Sequence, residues 1–459
     1  MYFNRLIDNE LLQWKNDSEH KPLLLRGARQ VGKSRAVKHL GESFRYYIEI
    51  NFEKQPVYKQ LFADDLDVRR ITSQIAALSG VPVVEGQTLL FLDEIQECTE
   101  AIMSLRFFRE DMPALHVVAA GSLLEFALQE IPTFGVGRIR SMYMHPMTFD
   151  EFLTANGMTA LLEQRRAASV EAPLLPPLHD KLVEYLRTYL LVGGMPETVA
   201  QWVETHDYLR CQRMQDDILV TYEDDFAKYA KRVNPNLLRL TLRSVALQVG
   251  SKFVYSRVST DYKASAVRQA LDLLVLAGIA IPVTRTSANG VPLSSEADSS
   301  YRKILLLDTG LMLRLQNMSL GNSTETSTLI MTATAEDLVN KGAVTEMLAG
   351  LELLRYRAIN MRYELYYWVR EERGSTAEVD YVDVRNGHVL PIEVKAGGKG
   401  GMKSLWLMMR EKHLDYAIRT SLENFGQLEY TDEQDNGTVR HVDIYPLYAL
   451  SQTNNGWLS

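Results

Sequence analysis

The chain has 459 residues, 46% of them hydrophobic and 24% charged, and its 58 acidic side chains outnumber its 50 basic ones, giving a net charge of −8. At roughly 100–200 residues per domain, this length holds two to four domains with real cores, and the composition excludes wholesale disorder, collagen-like repeats and a coiled coil. An acidic chain repels phosphate as a whole, so a nucleic-acid partner requires a local basic surface.

The first segment, MYFNRLIDNELLQWK, carries acids among its apolar residues and reads as an amphipathic helix rather than a signal peptide. The longest apolar stretch, LDLLVLAGIAIPV from Leu271, is too short to span a bilayer. Cys98 and Cys211 lie far apart without His or Cys neighbours at metal-ligand spacing, which excludes a disulfide framework or zinc site. The expectation is a soluble cytoplasmic protein with no membrane partner.

Next in the chain, Leu23 to Leu25 read as a short buried strand, and Gly27, Ala28, Arg29, Gln30, Val31, Gly32, Lys33 and Ser34 fit G-x-x-x-x-G-K-[ST] ahead of a helix-forming run. Strand, glycine loop and helix in that order form a P-loop. Its backbone N–H groups point at a β-phosphate at the positive end of the helix. Lys33 then neutralises the β- and γ-phosphates of ATP, and Ser34 holds Mg²⁺.

The acids for such a site come from TLLFLDEIQ, Thr88 to Gln96, a buried strand with Asp93 and Glu94 at its carboxyl end, where open α/β sheets bind ligands. Asp93 is expected beside the metal, and Glu94 as the group that polarises the attacking water. A further buried strand, LHVVAAGS, ends in Ser122. There AAA-class ATPases keep a polar residue that senses the γ-phosphate, although a plain turn residue fits equally. Arg138, in FGVGRIR, reaches a γ-phosphate in cis or from a neighbouring subunit, or pairs with surface acids.

The Pro-containing stretch from about 158 to 180 reads as a linker or insertion, and LVGGMPE, Leu191 to Glu197, as a break between helices. Residues 226–286 then hold ten Lys or Arg against two acids, a net +8 within an acidic chain. The element order there is a helix to Val249, a short segment at Tyr255-Ser256, a helix from Lys263 to Ala277 and a wing from Ile279 to Ile304. That order resembles a winged helix, with Lys263 and Arg268 placed to meet DNA.

Near the carboxyl terminus, AEVDYVDVRNGHVLPIEVK alternates apolar and charged residues on both sides of Asn386-Gly387, the signature of a two-residue hairpin with a type I′ turn. That register sets Asp380 opposite Glu393 and Glu378 opposite Lys395, with all four on one face. Facing carboxylates repel, and a divalent cation removes the penalty. Asp380 and Glu393 are accordingly expected to ligate Mg²⁺, with Lys395 orienting or deprotonating a nucleophile. The alternative is a solvated face with a Lys395 salt bridge. The glycines of KAGGKGG make a basic loop that tracks a backbone or merely turns the chain.

Taken together, RGARQVGKS, LDEIQ, the AGS strand, GR followed by HPMTFDEFL, and LVGGMPE resemble prokaryotic AAA-type ATPases fused to a C-terminal domain of unknown function. The resemblance implies an α/β chain: a P-loop AAA-type ATPase core at 1–155, a linker and helical region at 156–225, a winged-helix region at 226–320 and a restriction-endonuclease-like domain at 321–459. It also implies that Glu346, in KGAVTEMLAGLELL, is a further metal or water contact. The expected function is ATP hydrolysis controlling a Mg²⁺-dependent nuclease-like domain that acts on DNA. The alternative is an ATP-dependent switch or scaffold that binds nucleic acid or a protein without cutting. AAA-class proteins often share nucleotide sites between subunits, which leaves a homo-oligomer open.

Overall fold

The computed structural model describes residues 2–122, 124–130, 137–229, 232–320, 342–357, 359–372, 375–395 and 401–454. Lys231 and positions 396–400 of the KAGGKGG loop lie outside these residues. The chain forms two compact units, one of residues 1–147, 276–278 and 358–362, the other of residues 148–275, 279–357 and 363–459.

The first unit runs α1 (Leu6–Asn16), β1 (Leu23–Arg26), α2 (Lys33–Gly41), β2 (Tyr46–Asn51), α3 (Val68–Ser79), β3 (Thr88–Asp93), α4 (Thr99–Asp111), β4 (His116–Ala120), α5 (Leu124–Glu130) and β5 (Arg140–Tyr143). In α1 the buried residues Ile7, Leu11 and Trp14 follow the helical period, as the sequence pattern requires. The strands form one sheet in the order β2-β3-β4-β1-β5, with every pairing parallel. A parallel sheet needs cover on both faces, and β3 and β4 are accordingly buried along their whole length. One face packs Leu24, Ile50, Leu90, Leu92 and Val117 against Ile71, Ile75, Leu105 and Phe108 of α3 and α4. This topology sets the carboxyl ends of β1, β3 and β4 side by side.

The second unit is helical first: α6 (Phe149–Ala155), α7 (Thr159–Ala167), α8 (Pro176–Val192), α9 (Pro196–Thr205), α10 (Tyr208–Asp225), α11 (Pro235–Leu247) and α12 (Ala264–Leu276). There follow β6 (Ala280–Thr286), β7 (Ala297–Leu306), α13 (Thr309–Leu320), α14 (Gly342–Arg355), β8 (Leu365–Glu372), β9 (Ser375–Arg385), β10 (His388–Val394), α15 (Lys403–Glu411), β11 (Tyr416–Ser421), β12 (Gly426–Asp432) and β13 (Thr438–Pro446). All eight strands join one mixed sheet in the order β12-β13-β11-β10-β9-β8-β6-β7.

Two features differ from the sequence reading, and the interhelical break expected at LVGGMPE is present. The expected linker carries a helix, α7, whose buried Arg165 pairs with Asp150 and donates to the Tyr448 carbonyl at 2.6 Å. A guanidinium buried with its partner anchors the segment in place, where a linker would be solvated. The hairpin expected as a wing, β6–β7, follows two helices as anticipated, but β6 also pairs in parallel with β8, so the hairpin is part of the large sheet. LVGGMPE is a helix–helix corner held from afar. Gly193 has φ +75°, a β-carbon there would strike the Asp308 carboxylate, and Asp308 accepts the Gly194 N–H at 2.6 Å.

Candidate functional site

In the first unit the P-loop leaves β1 through Gly27, whose φ is +139° and whose α-carbon lies against the Met144 carbonyl. It enters α2 through Gly32, at φ +99°. Gln30 is also left-handed, with φ +64°. These turns curl the loop into a concave run of backbone amides. Lys33 is buried and spans the loop, donating to the carbonyls of Gly27 at 2.8 Å and Ala28 at 2.7 Å. Burial pulls its ammonium pKa down to about 8, against the opposing charges of Glu94 and Asp93.

Ser34 Oγ lies 3.3 Å from each carboxylate oxygen of Asp93, and Asn51, the last residue of β2, donates to Asp93 Oδ2 at 3.0 Å. Burial and the Glu94 charge push the Asp93 carboxyl above its usual range. A hydroxyl and a buried carboxylate side by side are the hard oxygen donors that Mg²⁺ takes, and a cation there would relieve the excess negative charge. These residues fit the ion.

Glu94 follows in a left-handed conformation, φ +48°. Its Oε2 accepts from Gln96 Nε2 at 2.7 Å, from the Ser122 N–H at 3.2 Å and from Ser122 Oγ at 3.1 Å. Burial raises this carboxyl, but the hydrogen bonds from Gln96 and Ser122 and the charge of Lys33 outweigh it and leave the pKa below the usual range. Gly121 gives Gln96 its room, because a β-carbon at 121 would collide with the Gln96 amide. Asn51 and Gln96 were not anticipated from sequence. Their signal is positional: Asn51 ends an apolar strand at the level of Asp93, and Gln96 stands two residues after Glu94.

Arg138 is placed elsewhere. It is exposed and paired with Glu110 near the end of α4, just ahead of β5. Because β5 runs parallel to β1, with Arg140 opposite Leu23, Arg138 lies beyond the amino ends of these strands while the P-loop lies beyond their carboxyl ends. The fold does not bring it to Lys33 within the chain, so the cis reading of Arg138 is corrected. The cation that adjoins the loop is Arg26, at the end of β1, held by the Glu125 carboxylate and donating to Tyr143 Oη at 2.9 Å.

The second unit gathers a different cluster. The Asn386-Gly387 turn has φ +51° and +78°, as a type I′ turn demands, and β9 pairs β10 in the anticipated register from Arg385↔His388 to Tyr381↔Ile392. On its other edge β9 carries a bulge: Trp368 pairs with Val379 and Tyr366 with Val382, so Asp380 and Tyr381 together face Tyr367 alone. Val379 and Val382 pack into one core with Met408 and Met409 of α15, while Tyr381 donates to the Glu346 carbonyl of α14 at 2.7 Å. The bulge thereby re-aims Asp380 towards Glu346.

Glu346, Glu378 and Asp380 come together, with one carboxylate oxygen of each within 4.8 Å of the others. Their partner is Lys303 of β7, which the sequence reading missed. Its ammonium is 2.7 Å from Glu346, 3.9 Å from Asp380, and paired with Glu378. Burial alone would lower the Lys303 pKa, but the charges of Glu346, Asp380 and Glu378 hold it well above the usual range. Glu393 stands slightly apart: Lys395 donates to its Oε1 at 2.5 Å, and its buried Oε2 has no hydrogen-bond partner. Burial, followed by the Asp380 charge, pushes Glu393 up to about 8, and burial raises Glu346 to about 7 against the pull of Lys303. The expected pairing of Glu378 with Lys395 is replaced by Glu378 with Lys303. The carboxylates are chemically suited to Mg²⁺ or Mn²⁺. However, the Lys303 ammonium already pairs with Glu346, Glu378 and Asp380 and offsets part of their charge.

Comparison with known proteins follows the same division. Residues 19–153 match a family model described as an AAA domain. Residues 183–323 match a domain of unknown function, DUF8612, and residues 341–435 another, DUF4143. No curated protein matches. Among solved structures, the Walker-type ATPase paby2304 of Pyrococcus abyssi is 15% identical, covering 69% of this chain and 96% of its own, with a TM-score of 0.44. The Aeropyrum pernix ORC1 protein in complex with DNA is 14% identical, covering 71% of this chain and 95% of its own, with a TM-score of 0.29. Residues 19–153, which carry the P-loop and the parallel sheet, are thus similar to an AAA domain. No helix among the described residues is long and apolar enough to cross a membrane.

Proposed function

We propose that this chain binds and hydrolyses Mg·ATP, and that its nucleotide state governs a carboxyl-terminal unit that engages DNA. The observation that carries the first half is the junction of Ser34 Oγ with both Asp93 oxygens, 3.3 Å each, at the mouth of a P-loop spanned by Lys33. When bound, Mg²⁺ supplies charge neutralisation for the phosphates. Ser34 and Asp93 hold it, Lys33 leaves its two carbonyls for the β- and γ-phosphates, and Glu94 orients the attacking water. Ser122, bonded to Glu94, ties the position of that carboxylate to the end of β4. The test is nucleotide binding and turnover: Lys33→Ala should lose both, and Glu94→Gln should keep binding while losing turnover. A wild-type protein that neither binds nor hydrolyses ATP overturns the proposal.

For the second unit, binding without cleavage is favoured over a metal-dependent nuclease, because Lys303 supplies Glu346, Glu378 and Asp380 with the positive charge that a metal ion would otherwise bring. The DNA contact rests on Lys263, just ahead of α12, and Arg268 within it, both exposed, while Val267, Ala270, Leu271 and Leu274 of α12 are buried. Titration of labelled duplex DNA at two salt concentrations tests this. Lys263→Ala with Arg268→Ala should weaken binding and reduce the salt slope by about one per lost phosphate contact. Mg²⁺-dependent nicking by wild type that disappears in Asp380→Ala would restore the nuclease reading.

A further inference from the structure

We propose that Lys303 is the resident cation of the acidic cluster, so that Glu346, Glu378 and Asp380 form a site built around an internal ammonium instead of a divalent metal ion. The proposal deepens the non-cleaving reading of the second unit and rests on it for its functional meaning, but it is tested by metal binding alone.

Four observations converge. First, Lys303 is 1% exposed, and its place in β7 is fixed by pairing with Val283 of β6 and by a bridge to Lys252. A lysine so placed has no route to solvent for its charge, and without its partners it would be an uncompensated buried ion. Second, its three carboxylates arrive from two separate elements, Glu346 from α14 and Glu378 and Asp380 from β9. Third, the bulge that aims Asp380 inward sets Tyr367 opposite it, and the Tyr367 ring centre lies 5.1 Å from the Lys303 ammonium. An aromatic face attracts an ammonium, whereas Mg²⁺ and Mn²⁺ take oxygen ligands. Fourth, the remaining acid, Glu393, is served by a different lysine, Lys395, at the half-buried end of β10. The two lysines thus divide the four carboxylates between them.

Removing the ammonium should turn the cluster into a metal site. The test uses the full-length chain without nucleotide, with Mn²⁺ as the probe, read by electron paramagnetic resonance and by the melting temperature in EDTA and in Mn²⁺. Wild type should show no Mn²⁺ binding that depends on Asp380, and any difference between its melting temperatures in the two buffers should be unchanged in Asp380→Asn. Lys303→Met should melt lower in EDTA, regain temperature in Mn²⁺ and take up one ion, and adding Asp380→Asn should abolish that uptake. Should Lys303→Met alone fail to fold, Lys303→Met with Glu346→Gln, Glu378→Gln and Asp380→Asn removes the unbalanced charge and should fold without metal. Failure of that neutral quadruple variant to fold overturns the proposal. So does Mn²⁺ binding by wild type that weakens at least tenfold in Asp380→Asn, or a Lys303→Met protein as stable as wild type in EDTA that takes up no ion. Loss of DNA binding by wild type would sink the functional reading of this unit while leaving these metal readouts untouched.

Discussion

Ser122 gives both its backbone N–H and its hydroxyl to a single oxygen of Glu94, at 3.2 and 3.1 Å, and Gln96 reaches the same oxygen at 2.7 Å. The residue proposed to activate water is therefore held by two neighbours, one at the end of β4 and one just past β3. Glu94→Gln should reduce turnover at least a hundredfold, the usual scale for losing a general base, with ATP affinity retained. Ser122→Ala keeps the amide but deletes the hydroxyl. Because these bonds hold the Glu94 pKa down, the acid limb of the kcat profile should move to higher pH. An unmoved acid limb with unchanged kcat would show that Ser122 does not tune Glu94.

Lys33 provides a second test. Its pKa of about 8 lies below the ordinary lysine value, so Lys33 is about half deprotonated at pH 8, where an exposed lysine would keep its proton. Phosphate favours the charged form and raises the pKa again, so ATP binding above pH 8 must take up protons. Calorimetry at pH 9 in two buffers of different ionisation enthalpy should report uptake approaching one proton, and near zero at pH 7. Equal enthalpies in the two buffers at pH 9 would contradict this account of the loop.

His116 makes the first unit acid-sensitive. The ring is buried, stacked on His20 at 3.8 Å, and its Nε2–H donates to the Lys15 carbonyl at 2.9 Å. Burial, with the neighbouring His20, pulls its pKa down to about 4. A depressed folded-state pKa contributes stability that is complete above the unfolded value of 6.5 and is lost as pH falls towards 4. The loss should approach about 3 kcal/mol. Urea titrations of wild type and His116→Phe across that window should differ in slope by about one proton. Parallel curves would assign the acid sensitivity to other groups.

The corner between α8 and α9 depends on one distant carboxylate. Gly193→Ala would place a methyl against Asp308 at a φ of +75°, and Asp308→Ala would leave the buried Gly194 amide unbonded and deprive Arg355 of a charge 3.8 Å away. Each should destabilise the second unit by about 2–4 kcal/mol, visible as a lowered urea midpoint, with the ATP affinity of the first unit retained. A midpoint unchanged in both variants would refute the role given to this corner.

The parts of the fold that were legible in the sequence are those set by short-range chemistry. The P-loop glycines, the acids ending an apolar strand and the Asn386-Gly387 turn each declare a local backbone shape, and the β9–β10 register follows from that turn. The β9 bulge leaves a trace in AEVDYVDV, where Tyr381-Val382 interrupt the alternation of apolar and charged residues, but its extra residue is fixed only against β8. Lys303 sits in SSYRKILLL, where it reads as the polar start of a buried run. Its partners lie 43 to 77 positions further on, and no local period encodes that meeting. Arg138 stayed open between a phosphate contact and a surface pair for a related reason: composition marks a candidate cation, but only the strand order tells which end of the sheet it occupies, and there it pairs with Glu110.

The membership of β6 and β7 in the large sheet bears on how this protein can be divided for experiment. A fragment starting at residue 342 would keep Glu346, Glu378 and Asp380 but lose Lys303, stranding three carboxylates without their counter-charge. It would also strip β8 of its pairing with β6 and bare a strand edge rich in Tyr and Trp, the kind of edge that recruits other chains. Cut there, the fragment would aggregate, and any metal it bound would reflect the place of the cut rather than the chemistry of the intact chain.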